Sequence, residues 1–441
     1  MPPPSPPLFK DHPQHVASVV RAVLEAADPQ ECIRKHVAPL DTQRYSLLAA
    51  GKASAAMARG FVAACEATLS HSVVIGPPGT RLAMRGIVPD SASHAAYDAD
   101  HPLPTVRNVE AAEAAAELAR RGAGVADETL VVLLSGGASA FLALPQPPMT
   151  LEDLRDITQV LLRAGANIHE LNAVRKHLEQ LKGGGLAKLA SPAPVRAFIL
   201  SDVMDDDLAT IASGPLVADH STFASALEVL ERCGRGHSVP RVTAHFKRGV
   251  AGLLRETLKA GDPALANVVC TIVGSNALAL TAAAREVTRL GFGAAPIREN
   301  LSGDARGAGR QFAHDAQSHT PTPDQPCCII AGGETIVHVR GQGAGGRNQE
   351  FALAAALQLD GSSREVVASF ATDGVDGPTD AAGAYVSGET CTLASSRGLD
   401  AQAFLDDNDS HTFFSKVGTL IRTGPTGTNV NDIALALIYP K

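Results

Sequence analysis

Arg347 stands at the end of a glycine-rich segment, Gly341-Gln342-Gly343-Ala344-Gly345-Gly346-Arg347-Asn348-Gln349-Glu350. The apolar run before it, residues 335–340, predicts a strand, and residues 351–359 predict a helix. A turn opening on a helix start offers unpaired amides and the positive end of the helix dipole, and Arg347 adds a planar fork. The segment is therefore expected to receive a phosphate or carboxylate. Gly341, Gly343 and Gly346 also satisfy G-x-G-x-x-G, and Asp360 lies near the distance at which a dinucleotide-binding fold places its ribose acid. That pattern reads as a nicotinamide-dependent oxidoreductase. With 40 glycines among 441 residues a lone match carries little weight, and a plain strand-to-helix turn with a solvated arginine competes with it.

Further loops with chemical content follow other apolar runs, where ligands of parallel sheets bind. After residues 45–50 comes Gly51-Lys52-Ala53, whose lysine suits a phosphate oxygen or is simply a surface lysine. After residues 129–134 comes Ser135-Gly136-Gly137-Ala138-Ser139, which lets backbone amides approach a polyphosphate or forms a tight turn. No G-x-x-x-x-G-K-[ST] occurs, so a nucleotide site here is not of the Walker kind. After residues 195–200 comes Ser201-Asp202-Val203-Met204-Asp205-Asp206-Asp207, an acid-rich loop that calls for a cation or a basic partner. Asp206 and Asp207 also suit capping of the next helix, whereas Asp202 directly ends the strand. Asn172 and Arg175 share a helix face in Asn172-Ala173-Val174-Arg175-Lys176-His177. A solvated basic helix is the alternative there, and His177 reads as structural. Gly332-Gly333-Glu334, Thr372-Asp373-Gly374 and Thr428-Asn429-Val430-Asn431-Asp432 complete the set. They suit metal, ribose or hydroxyl contacts, or ordinary turns.

The elements that position these loops alternate short apolar strands with longer helical patterns, which predicts a mostly parallel sheet covered by helices. Strands are expected at 45–49, 71–75, 129–134 and 195–200, with helices at 53–65, 108–121, 151–164 and 168–181. A second series comprises strands at 268–273, 294–298, 328–331, 335–340, 366–372 and 433–438, with helices at 277–290, 304–317 and after Arg347. A proline-containing break separates part of it at 321–326. Two domains follow from the length: residues 11–255, then 256–441, after a disordered proline-rich tail at 1–10. A formal net charge of −8 excludes a nucleic-acid backbone as main partner but permits a local cationic cleft. No apolar run reaches membrane-spanning length, and the N-terminal residues form neither a basic nor an apolar leader segment. Seven cysteines without metal spacing read as reduced thiols, and the location is expected to be cytoplasmic.

In chain order, Gly51-Lys52-Ala53, Asp100-His101-Pro102-Leu103-Pro104, Ser135-Gly136-Gly137-Ala138-Ser139, Asn172 to His177, Ser201-Asp202-Val203, Ile211-Ala212-Ser213-Gly214-Pro215, Gly345 to Glu350, Thr372-Asp373-Gly374 and Thr428 to Asp432 resemble the class II glycerate kinases, the glycerate 2-kinase or MOFRL family. The resemblance spans residues 47 to 432. It implies an α/β fold of two domains. The larger N-terminal domain would be Rossmann-like, with a doubly wound, mostly parallel sheet and helices on both faces. The C-terminal domain would be a smaller MOFRL-type α/β unit, with the active site in the cleft between them.

The implied reaction converts D-glycerate and ATP to 2-phospho-D-glycerate and ADP. Lys52 and Arg347 match positions regarded as essential in the family, and residues 135–139 match its nucleotide-phosphate loop.

Beyond the resemblance, Asp202 is expected to accept the hydroxyl proton or hold Mg²⁺, with Glu334 and Asp373 as further metal-side acids. The nucleotide set is Ser135, Gly136, Gly137, Ala138, Ser139, Gly333, Glu334, Asp373 and Asn429, and the substrate set is Lys52, Arg175, Asn172 and Arg347. Transfer is expected in line, with domain closure joining Lys52 and Arg347 on the transferring group. The chain departs from the family at Met204-Asp205, where a Pro-Gly pair is usual. It departs again at Gly185, commonly arginine, and at Thr105, often acidic. The competing readings are an NAD(P)H-dependent hydroxypyruvate or tartronate semialdehyde reductase and a non-catalytic small-anion binding protein. Expected partners are D-glycerate and ATP, with no nucleic acid or membrane, in a monomer or homodimer.

Overall fold

The computed structural model describes residues 7–37, 43–89, 91–125, 127–233, 239–293, 296–319 and 326–440. The chain divides into two compact units. A central unit runs from Pro29 to Val273, and a composite unit joins the residues up to Asp28 with those from Gly274 onward.

The central unit is built on a six-stranded sheet of β1 (Arg44–Ala50), β2 (Thr68–Gly76), β3 (His94–Asp98), β4 (Glu128–Leu134), β5 (Val195–Leu200) and β6 (Val268–Gly274). The order is β3-β2-β1-β4-β5-β6, and the pairings β2–β3, β1–β2, β1–β4 and β4–β5 are parallel. β4 is buried along its whole length and β1 at every residue but the first, as expected for strands covered on both faces. On one face, Leu48, Ala50, Leu130, Val132 and Leu134 meet Ala111, Ala112, Ala115 and Ala119 of the Val106–Ala123 helix, whose small side chains permit close approach. On the other face Tyr45 meets Phe61 of the Ser54–Ala64 helix, and Phe61 meets Phe198. The chain winds outward from β1 in one direction and from β4 in the other. The switch point of the sheet therefore lies between the carboxyl ends of β1 and β4, where Gly51-Lys52 and Ser135-Gly136-Gly137 stand.

The composite unit contains β7 (Ile297–Leu301), β8 (Cys327–Gly333), β9 (Glu365–Ala371), β10 (Gly383–Ser387), β11 (Leu420–Ile421) and β12 (Asp432–Ile438), in the order β11-β10-β9-β12-β8-β7. Only the β7–β8 pairing is parallel among those with described register. β12 runs antiparallel to both neighbours, so its first residue, Asp432, pairs with Gly333 and Ala371 near the carboxyl ends of β8 and β9. Against this sheet the Arg347–Leu359 helix packs beside the Ala305–Ser318 helix. A Cβ on Gly309 would stand 2.2 Å from the Phe351 carbonyl oxygen, so glycine is needed for that approach.

Several expectations are corrected. Residues 335–340 form no strand: only Ile336 makes an isolated bridge, to Asp304, and Val339 is exposed. The expected 294–298 strand is β7, three residues later, with 294 and 295 outside the described residues. The helix expected to 181 stops at Lys176. The strand expected to open the second series is β6, which joins the central sheet, so the division falls at 273/274 rather than 255/256. Of the expected tail, residues 1–6 lie outside the described residues and Phe9–Asp11 form a 3-10 turn. That turn leads into the His12–Ala26 helix, which belongs to the composite unit. Val16, Val19, Val20 and Val23 bury its apolar stripe, and Ser18 Oγ donates to Glu286 of the Asn276–Arg289 helix at 2.5 Å. All seven cysteines are free thiols.

Candidate active site

In the central unit, the loops after β1 and β4 are laced together. The Lys52 amide donates to the Gly136 carbonyl (2.9 Å), the Ala53 amide to Ser135 Oγ (3.0 Å), and the Ser135 amide to the Ala50 carbonyl (3.1 Å). Gly51, at φ 133°, lies so close that a Cβ would stand 2.1 Å from Ser135 Oγ. The lacing leaves Lys52 exposed, and its ammonium makes no ion pair with a described residue. Among the described residues the Gly136 and Gly137 amides also have no acceptor, so two adjacent N–H groups and a lysine remain for an anion. Asp202 overhangs the same loop, its Oδ2 only 2.3 Å from where a Cβ on Gly136 would be. His101 flanks it from the other side, its Cδ2 3.0 Å from a Cβ position on Gly137. Burial holds the His101 imidazole below its ordinary value, and the Lys52 charge adds to this.

Beneath the loop, Ser213 Oγ donates to Asn172 Oδ1 at 2.9 Å and stands 2.7 Å from Ser139 Oγ. Ser213 and its neighbour Ala212 both sit at positive φ, 60° and 52°, a locally strained turn that aims the hydroxyl inward. Asn172 is thus a buried member of a hydroxyl chain. Arg175 follows one turn along the Ile168–Lys176 helix, half-buried. Lys176 and His177 have structural partners, Asp219 at 3.1 Å and Glu256 at 2.9 Å. The acid-rich loop disperses its charges: Asp205 is exposed, while Asp207 caps the following turn through the Ala209 amide (3.0 Å) and Thr210 Oγ1 (2.6 Å). Among the described residues no three His, Cys, Asp or Glu side chains converge on a metal position.

The composite unit presents a different cation. Arg347 begins its helix at the sheet edge where β12 starts, and Asp432 accepts from Nε (2.5 Å) and Nη2 (3.0 Å). Glu334, just after β8, accepts from Nη1. Burial pushes the Asp432 carboxyl up to about 6 against the pull of Arg347, and nearby Asp376 adds to the rise.

The helix start itself is not open to an external phosphate. Asp376, 2% exposed, accepts from the Asn348 amide (3.0 Å) and the Gln349 amide (2.9 Å), and from both of their side-chain amides. It is the anion for which the helix dipole calls. The glycines before Arg347 serve packing instead. The turn Asp407-Asn408-Asp409 receives the amides of residues 340 to 344 through Asn408 Oδ1, Asp407 and Asp409 Oδ1. A Cβ on Gly341, Gly343 or Gly346 would stand 2.2, 2.2 or 2.3 Å from atoms of Asp407, Asp409 or Asp376. The dinucleotide reading therefore fails on two counts: no strand precedes the segment, and a protein carboxylate holds the helix N-terminus.

Residues 15–247 match a family described as a domain of unknown function (DUF4147), and residues 327–432 match the MOFRL family. The chain is 38% identical to D-glycerate 2-kinase of Thermotoga maritima over 95% of its length and 97% of that protein's. The chain belongs to the glycerate 2-kinase (MOFRL) family. The crystal structure of glycerate kinase from the same organism superposes with a TM-score of 0.88 at 36% identity, covering 97% of this chain and 100% of that one. A protein of Agrobacterium vitis described as a putative hydroxypyruvate reductase is 38% identical over 96% of this chain and 94% of its own length.

Within this glycerate kinase fold the structure gathers Lys52, Ser135 to Ser139, Asp202 and Asn172 beyond the carboxyl ends of β1 and β4 in the central unit, and Arg347 and Glu334 where β8 ends and β12 begins in the composite unit. Asp373 and Asn429 are spent on local turns, each accepting through Oδ1 from the amide two residues on, Val375 and Asn431. Gly333, at φ 155°, lets β8 close against the Leu301 backbone. Glu334 is engaged by Arg347, so it does not stand as a free metal-side acid.

Two departures have local causes. A Cβ on Gly185 would stand 1.9 Å from the Gln180 carbonyl oxygen. Thr105 leads into the Val106–Ala123 helix, bonding Asp100 through Oγ1 at 2.5 Å. Nothing in the structure explains Met204-Asp205. Sequence reasoning missed His101, Ser213, Asp376 and Asp432 as site residues. His101, Ser213 and Asp432 lay inside motifs already singled out, and for Asp432 a lone acid opening the last strand was the available signal.

Proposed function

We propose that this chain is a glycerate 2-kinase that transfers the γ-phosphoryl group of ATP to the 2-hydroxyl of D-glycerate, yielding 2-phospho-D-glycerate and ADP. The observation that carries the reading is the pair of unpartnered amides at Gly136 and Gly137 beside the unpaired Lys52, at the switch point of a doubly wound sheet. Such a constellation fits the oxygens of a polyphosphate. The C2 oxygen of glycerate attacks the γ-phosphorus in line, the bond to the ADP oxygen breaks, and the hydroxyl proton passes to the Asp202 carboxylate or, where Asp202 holds the metal instead, to water. Lys52 and Arg347 neutralise charge on the transferring group, and the Ser139–Ser213–Asn172 chain holds the loop. Arg175 is assigned to the glycerate carboxylate. Mg²⁺ supplies neutralisation of the polyphosphate when bound. Asp202, whose carboxylate oxygen stands against the phosphate loop, is the residue that would hold it.

The deciding experiment follows ADP release with D-glycerate and locates the phosphate by phosphorus NMR. Phosphate on O3, or NADH oxidation with hydroxypyruvate in place of ADP release, would overturn the reading. In Asp202→Asn, a loss of activity recovered by excess Mg²⁺ supports the metal role, and one indifferent to Mg²⁺ assigns Asp202 to the proton.

A further inference from the structure

Arg347 carries two carboxylates of unlike kind. Asp432 is 2% exposed, sits on β12 between two paired strands, and engages the guanidinium through both oxygens. A two-point contact from a rigid, buried strand fixes the plane of the fork. Glu334 is the reverse: its side chain is 52% exposed, it follows the end of β8, and its ion pair reaches only Nη1. One-point pairs on exposed side chains are screened by solvent and exchange readily with other anions. No other described carboxylate makes an ion pair with Arg347.

We propose that Asp432 is a permanent positioning residue for Arg347, and that Glu334 is an exchangeable counter-ion which an incoming phosphoryl oxygen displaces from Nη1. The proposal rests on the phosphoryl-transfer reading for the identity of the anion. Nη1 is the one donor-bearing nitrogen not pinned by the buried strand, so it is the position at which an external anion competes on near-equal terms. Glu334 then occupies Nη1 until a more highly charged group arrives. It thereby sets a threshold against weakly charged anions such as a lone carboxylate.

The test uses the full chain, titrated calorimetrically with inorganic phosphate and assayed with ATP and D-glycerate. Glu334→Gln is expected to bind phosphate about three- to tenfold more tightly, the range set by removing an exposed competitor. The gain should vanish in Glu334→Gln/Arg347→Ala. Asp432→Asn is expected to lower kcat at least about tenfold with little change in KM, because the cation is still present but no longer aimed. Unchanged or weaker phosphate binding by Glu334→Gln overturns the exchangeable role, and wild-type kcat in Asp432→Asn overturns the positioning role. Should Asp432→Asn fail to fold, Arg347→Lys supplies the second measurement. It keeps the charge but cannot take the two-point contact, so undiminished kcat there counts against positioning. Phosphate binding needs no turnover. A tighter Glu334→Gln in a chain that phosphorylates no glycerate would sink the kinase reading and leave the counter-ion assignment standing.

Discussion

Lys52 is presented by its backbone: its own amide is tied to Gly136 and that of Ala53 to Ser135, while the ammonium is left to solvent. A charge held ready in this way stabilises the transition state more than the ground state. Lys52→Ala is therefore expected to lower kcat/KM for glycerate by about 10²-fold or more while leaving the melting temperature nearly unchanged. Steady-state kinetics beside a thermal melt checks both halves.

Asp432 makes a prediction of opposite character. Its carboxyl is pushed from 3.8 up to about 6 by burial, so between those values the native state holds a proton that the unfolded chain has released. Its contribution to stability is greatest below the unfolded value and is lost as pH rises through about 6. The stability of the wild type minus that of Asp432→Asn should fall across that window and flatten above it, by no more than about 1.4 kcal/mol per pH unit. Denaturant titrations at pH 4, 5, 6 and 7 read the difference. A flat difference would show that Arg347 cancels the burial.

At the level of elements, the Arg347–Leu359 helix shows how a correct sequence observation can receive the wrong physical cause. The helix begins where the glycines predicted, and its N-terminus does seek an anion, but the anion is Asp376, from a turn after β9. A one-dimensional pattern marks a demand for negative charge without revealing that a residue thirty positions later meets it. Asp376→Asn should cost about 1–3 kcal/mol and speed hydrogen exchange at the first turn of that helix. Gly343→Ala, whose Cβ would press on Asp409, should likewise cost about 1–3 kcal/mol.

The strands β1, β4 and β5 were legible because both faces are buried and their apolar runs are nearly continuous. Residues 335–340 carry a similar apolar pattern yet pair with nothing beyond one bridge. β3, only partly buried and polar at both ends, escaped notice. The loop residues of the candidate site were legible for a related reason: strand ends in a parallel sheet advertise themselves by glycine. Asp432 was not, because only the antiparallel register of β12 carries the start of one strand to the carboxyl ends of its neighbours.

At the level of the whole molecule, the composite unit joins residues up to Asp28 with those from Gly274 onward, and the central unit is the stretch of sequence between them. Its first helix buries Val16, Val19, Val20 and Val23, and His15 Nδ1 lies 2.9 Å from the Tyr439 hydroxyl. A chain lacking residues 1–28 should leave the Asn276–Arg289 helix uncovered and lower the stability of the composite unit by several kcal/mol, on the scale of about 1.5–3 kcal/mol per lost buried valine. The central unit, which keeps its own sheet and core, should be affected much less. Calorimetry of the truncated chain, resolved into the melting of the two units, checks this. Loss of the transition assigned to the central unit alone would contradict it.

Because Phe9 lies edge-on to Tyr439, with ring centroids 5.5 Å apart, the segment that leads into the first helix and the segment that follows the last strand meet inside the composite unit. A linker joining the residues after Tyr439 to those before Phe9, with a new opening cut between Asp28 and Pro29, would yield a circular permutant. In it the central unit is read straight through first and the composite unit second, each as one uninterrupted stretch. During synthesis of the natural order, the leading helix emerges with its valines uncovered and must wait through residues 27–275 before its partner helix begins. The permutant removes that wait, so it should refold from denaturant with less aggregation than the natural order.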